Sequence, residues 1–73
     1  MKGSDIIMTK EKLLEIEPKL SGVLNKAKRF RTCDMNRKFW EYETAKDEAR
    51  KLRAFTTEEW DCFIASLVDV LQV

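Results

Sequence analysis

No histidine occurs in the 73 residues of this chain. That removes the commonest metal ligand and the commonest general acid–base catalyst, and with them the Cys/His zinc sites that staple many small domains. Cysteine is nearly as scarce: Cys33 and Cys62 allow one internal bridge at most and form no Cys-x-x-Cys motif. Only two glycines and one proline are present, and so few turn formers argue for long helices joined by few, short connections. Glycine-rich phosphate loops are absent, and Ser4, Ser21 and Ser66 stand beside no base at a recognisable spacing. These gaps point to a non-enzymatic protein with no catalytic residues, no metal and no cofactor.

Long apolar runs are missing too. Nothing approaches the roughly 18 consecutive apolar residues of a membrane helix. The opening MKGSDIIM has one lysine and a three-residue apolar run, too little for a secretory signal. The expectation is a cytoplasmic protein, off the membrane, with both thiols reduced.

What the chain does have is charge. Charged residues make up 37% of it, yet the net charge is only +1, which leaves no bulk attraction for polyanions. Alanine, leucine, lysine, arginine and glutamate favour helix. A chain of this length makes one domain, and a core of that size supplies only about 3–5 kcal/mol of net stability. With disulfide and metal staples excluded, association with another chain is the remaining source of help.

The stretch Thr56–Val73 organises the rest. Trp60, Phe63, Ile64, Leu67, Val68 and Leu71 repeat at helical spacing, the stripe of a helix that packs on other helices. Thr56 with Glu59 forms a capping box, and Glu58, Glu59 and Asp61 place negative charge where the helix dipole favours it. Upstream, Thr9 is a candidate cap, followed by Leu13, Ile16, Leu20, Val23, Ala27 and Phe30 in a heptad-like seam. Pro18 interrupts this seam. Either one helix runs from about residue 10 to residue 30 with a kink, or one helix ends near Glu17 and a second begins at Pro18. The seam keeps its phase across Pro18, which favours the kinked helix. Asp34 is the candidate cap of the next helix, about 35 to 54, whose inward face reads as Met35, Phe39, Tyr42, Ala45, Ala49 and Leu52.

The expected fold is therefore all-α: a small three-helix up-down-up bundle with short loops, the first helix kinked or interrupted at Pro18. Residues 1–8 form a loose N-terminal arm and 9–73 a single helical domain. The alternative is a long two-helix hairpin whose third helix packs on a second copy.

Two features bear on function. Lys26, Lys28, Arg29, Arg31, Arg37 and Lys38 face a single acid, Asp34, whereas Glu58, Glu59, Asp61 and Asp69 face no base between residue 58 and the end. The sequence is a charge dipole of near-zero sum. Its positive end suits phosphate or acidic-protein contact, with Phe30 as a stacking ring; helix-end compensation and internal pairing explain the same residues without a ligand. Trp40 falls nearly opposite the Phe39–Tyr42–Ala49 face at about 100° per residue, among polar neighbours. Beside Arg37 it has the composition of an interface anchor; cover by Ile6 or Ile7 of the arm is the competing explanation. Cys33 follows Lys28, Arg29 and Arg31, whose field favours a reactive thiolate, while a small half-buried thiol is the plainer reading.

The sequence thus points to a protein-interaction module of the adaptor, inhibitor or chaperone-like kind. It would dock on a protein partner, or on itself as a homodimer, through Trp40, Arg37, Lys26, Lys28, Arg29, Arg31 and Lys38. The alternative is a small nucleic-acid-binding regulator that uses Lys26–Lys38.

Overall fold

Thr9 opens the first helix. In the computed structural model, which describes residues 8–73, its backbone is extended and its Oγ1 accepts a hydrogen bond from the Lys12 amide at 3.2 Å. The cap satisfies one of the amides that a helix leaves without a partner. Helix α1 spans Lys10–Ile16. It stops because Glu17 precedes proline: the ring of Pro18 pushes Glu17 into the extended region, at φ −136° and ψ 90°. Pro18 itself is helical, and α2 follows over Lys19–Lys28. The Glu17 carboxylate accepts from the Lys19 amide at 3.4 Å, in the place of a capping side chain.

The expected kinked first helix is thus two helices, and the described residues form four helices rather than three. Phase continuity guided burial only in part and backbone not at all: of the expected seam Leu13, Leu20 and Ala27 are buried. Leu13 and Leu20 are both fully buried on either side of the break, while Ile16 is exposed and Leu24, not Val23, joins the core.

Helix α3 spans Met35–Leu52, and α4 spans Thr57–Leu71. Asp34 caps α3, its carboxylate accepting from the Arg37 amide at 2.8 Å. At α4 the capping box is complete: the Thr56 hydroxyl accepts from the Glu59 amide at 3.2 Å, and the Glu59 carboxylate accepts from the Thr56 amide at 2.9 Å. The far end of α4 closes on Gln72, a left-handed residue whose amide donates to the Val68 carbonyl at 2.7 Å.

The core is built around α4. Phe63, Leu67 and Leu71 are fully buried against Leu13 of α1 and against Leu20, Leu24 and Ala27 of α2. Each such large side chain contributes about 1.5–3 kcal/mol by leaving water. Trp60, expected in the core, is half-buried at its edge, its ring centroid 5.5 Å from that of Phe63 and 6.0 Å from that of Phe55. Met8, assigned to the arm by the sequence, packs against the core; the rest of the expected arm, with Ile6 and Ile7, lies outside the described residues. No helix among the described residues is long and apolar enough to cross a membrane.

Helix α3 joins this core through small residues. Its buried positions are Glu41, Ala45 and Ala49. Met35 and Phe39, expected to face inward, are instead among the most exposed apolar residues of the molecule. The alanines let the α3 backbone come close to α2 and α4, and close approach leaves no room on that side for bulky rings. Tyr42 and Leu52 are half-buried at the margins of the stripe.

Candidate docking surface

The Asp34 cap fixes where α3 begins and so fixes the phase of its first two turns. With Ala45 and Ala49 held inward, Met35, Phe39 and Trp40 point to solvent at 60%, 62% and 60% exposure. Single exposed apolar residues need no explanation, because folded surfaces carry many. Met35 and Phe39 lie one turn apart on one side of α3, and Trp40 lies about 100° further round the axis, so the three are exposed on adjoining flanks of the helix. The Phe39 ring stacks on Tyr42, centroids 6.3 Å apart and planes 16° from parallel, so the apolar surface continues along the helix.

Arg37 ties Trp40 to the end of α2. Its guanidinium lies 4.9 Å from the centroid of Phe30, which follows α2, and 5.2 Å from that of Trp40. Each contact of this kind adds about 0.5–1 kcal/mol at an exposed site. The same guanidinium reaches the Glu41 carboxylate at 3.4 Å, and the Glu41 side chain is 5% exposed. The two rings and one buried carboxylate therefore hold the arginine in place. It remains half exposed, and a guanidinium with five N–H donors has donors to spare.

The remaining basic residues do not form one surface. Lys26 pairs with Glu48 of α3 at 3.5 Å. Lys38 turns away from Arg37 to the C-terminal end of α4, where its Nζ donates to the Gln72 carbonyl at 3.2 Å and compensates the negative end of a helix that has no basic residue in its last turn. Lys28 and Arg31 line a cleft bounded by α1, α2 and α4, and Arg29 is exposed just beyond α2. The run that looks continuous in sequence is divided because successive residues at a helix end radiate around its axis. Trp40, Arg37 and the ring of Phe30 are brought together; Lys26, Lys28, Arg29, Arg31 and Lys38 are distributed around them. The sequence reading missed Met35 and Phe39 as surface residues. The signal that marks them is the i, i+4 spacing of Ala45 and Ala49, with Glu41 one turn earlier.

Cys33 and Cys62 are both free and half-buried. Burial pushes the Cys62 thiol up from its ordinary value; a hydrogen bond with Ser66 partly offsets this, and the charge of Glu11 adds to it. Among the described residues no three His, Cys, Asp or Glu side chains converge as metal ligands would. No protein-family model matches this chain, and comparison with curated proteins and with solved structures returned no similar chain.

Proposed function

We propose that this protein is a non-enzymatic interaction module that docks through the outer face of α3 onto an acidic segment of another protein. The observation that carries the reading is the exposed Trp40 ring beside a guanidinium held in position, with Phe39 exposed on the adjoining flank of the helix. Tryptophan and arginine dominate binding hot spots because they offer large, rigid contact area with directed hydrogen bonds. Arg37 is already ordered, so a partner carboxylate meets it at a smaller entropic cost than a free side chain would impose.

Charge selects the occupant. Beside Trp40 the patch carries the half-exposed Arg37 guanidinium, and the one acid that guanidinium meets, Glu41, is buried. A second copy laid on this patch brings like charge to like charge, which opposes association. A partner that inserts an apolar side chain beside a carboxylate meets complementary charge instead. Nucleic acid is the weaker candidate. Three of the six cations, Lys26, Arg37 and Lys38, already have acceptors within the molecule, and Met35 and Phe39 present apolar surface that a phosphate backbone does not use.

The test begins with light scattering of the purified chain over a range of concentrations at two salt levels; a monomer is expected throughout. Binding partners are then captured with the wild-type chain, purified, and titrated directly against wild type and Trp40→Ala. Loss of the anchor is expected to weaken a direct complex by on the order of 2 kcal/mol or more, roughly 30-fold, while the CD spectrum and melting curve stay put. A dimer abolished by Trp40→Ala assigns the patch to a second copy. Salt-dependent binding of single-stranded nucleic acid at low micromolar protein assigns it to the alternative. A partner that binds Trp40→Ala as well as wild type removes the docking surface.

A further inference from the structure

The cleft bounded by α1, α2 and α4 is separate from the α3 patch: none of Phe30, Met35, Arg37, Phe39 or Trp40 lines it. It encloses about 400 Å³, within the range of small-molecule sites, which are usually apolar with a few convergent polar groups. This one is mostly polar. Lys10 from the start of α1, Lys28 from the end of α2 and Arg31 from the following loop stand around it, with Asp69 as the one acid among the described lining residues. Ser21 and Asn25, one turn apart on α2, add neutral donors to the same wall. Among the described residues, none of the three cations has a carboxylate within salt-bridge distance.

Part of this charge has a structural purpose. The cleft lies beside the C-terminal ends of α2 and α4, and each helix end carries about half a negative charge. Lys38 already donates to the Gln72 carbonyl at the end of α4. Three cations against one acid and two helix ends still leave an excess of about one positive charge. That excess stands around a concave surface where the fields of the three cations add, with each side chain still in contact with water.

We infer that this cleft binds a compact phosphate ester through Lys10, Lys28 and Arg31, with Ser21 and Asn25 as neutral hydrogen-bond partners. A tetrahedral phosphate offers oxygens in three directions and meets donors from three elements at once, which a lone carboxylate does not. The arginine fork supplies paired N–H groups suited to two phosphate oxygens, and the lysines act as point charges. The volume leaves room beyond the phosphate for a small polar body.

The test is a two-dimensional 1H–15N NMR titration of the full chain with inorganic pyrophosphate, ionic strength being held constant with chloride. Saturable shifts are expected at the Ser21, Asn25 and Lys28 amides. The paired change Lys28→Gln with Arg31→Gln is expected to weaken binding about tenfold or more through loss of charge-assisted hydrogen bonds. Lys26→Gln removes the same kind of charge outside the cleft and is expected to change binding by less than about twofold, as a screened surface charge does. CD spectra establish that each variant is folded; if the paired change unfolds the chain, Arg31→Gln alone gives the same comparison. Shifts that rise linearly without saturation overturn the proposal, and so does an equal loss in Lys26→Gln. Flotation with phosphatidylcholine vesicles containing phosphatidic acid, with and without pyrophosphate, separates the sources. Vesicle binding that pyrophosphate displaces assigns the phosphate to a lipid headgroup, and its absence beside saturable pyrophosphate binding assigns it to a soluble compound.

Discussion

Helices α3 and α4 are of similar length, and they use their large side chains in opposite ways. Helix α4 buries Phe63, Leu67 and Leu71 completely. Helix α3 buries two alanines and a glutamate and holds Met35, Phe39 and Trp40 in water. In α4 apolar mass and core contact coincide. In α3 they are separated: the close-packed stripe is made of small side chains and the apolar mass lies outside it. A hydrophobic residue therefore marks the core in one helix and a free surface in the other. What distinguishes the two is whether the stripe contains the large residues or the alanines.

Phenylalanine substitutions test this contrast most severely. Phe63→Ala leaves a cavity at the centre of the core and is expected to cost about 3–5 kcal/mol, as much as a core of this size supplies in net stability. The variant is expected to lose its cooperative melting transition and most of its helical CD signal. Phe39→Ala removes the same ring from the outer face, with only the Tyr42 stack to lose, and is expected to cost within about 1 kcal/mol. Comparable urea midpoints for the two variants break the comparison.

Overpacking comes next. Ala49 is fully buried, so Ala49→Leu forces α3 away from its neighbours and is expected to cost about 1–3 kcal/mol, although it adds an apolar residue to a good helix position. A rise in melting temperature instead would show that the α3 stripe has unfilled space, and the reason for the outward rings would fail.

Capping gives a smaller effect and a direct measure of how local the chain's instructions are. Thr56→Ala removes one half of the α4 capping box and is expected to lower stability by about 1 kcal/mol, read as a shift in urea midpoint with an unchanged slope. Thr9, Asp34 and Thr56 were all legible as caps, because a cap is decided by two or three neighbouring residues and needs no knowledge of the fold. The centre of the α4 stripe, Phe63, Leu67 and Leu71, was legible because it is strongly apolar with one period; its margins were not, since Cys62 and Val70 pack against the core in addition to Trp60 and Ile64. The inward face of α3 was not legible. Met35, Phe39, Tyr42, Ala45, Ala49 and Leu52 share a helical period, and neighbouring faces of a helix overlap. Which part of that broad stripe meets the core depends on how closely the other helices approach. The burial of Glu41 was hidden as well, since a carboxylate reads as a surface residue although it shares the inward stripe of Ala45 and Ala49 and is paired with Arg37. Pro18 was ambiguous because apolar phase constrains side chains and leaves backbone continuity free. The basic run misled as a unit: its members are adjacent in sequence, but they leave a helix end and a turn in different directions.

Gly22 yields the smallest prediction and the only one in the stabilising direction. It lies within α2 with an exposed surface, and a methyl group added there meets nothing within 4 Å. Its backbone is not left-handed, since no glycine among the described residues has a positive φ, so no conformation reserved for glycine is at stake. Alanine narrows the unfolded ensemble and leaves the folded contacts as they are. Gly22→Ala is therefore expected to raise stability by about 0.4–1 kcal/mol, measurable as a higher urea midpoint. A lower midpoint instead would mean that the added methyl group meets a neighbour and that the surface of α2 at Gly22 is not open.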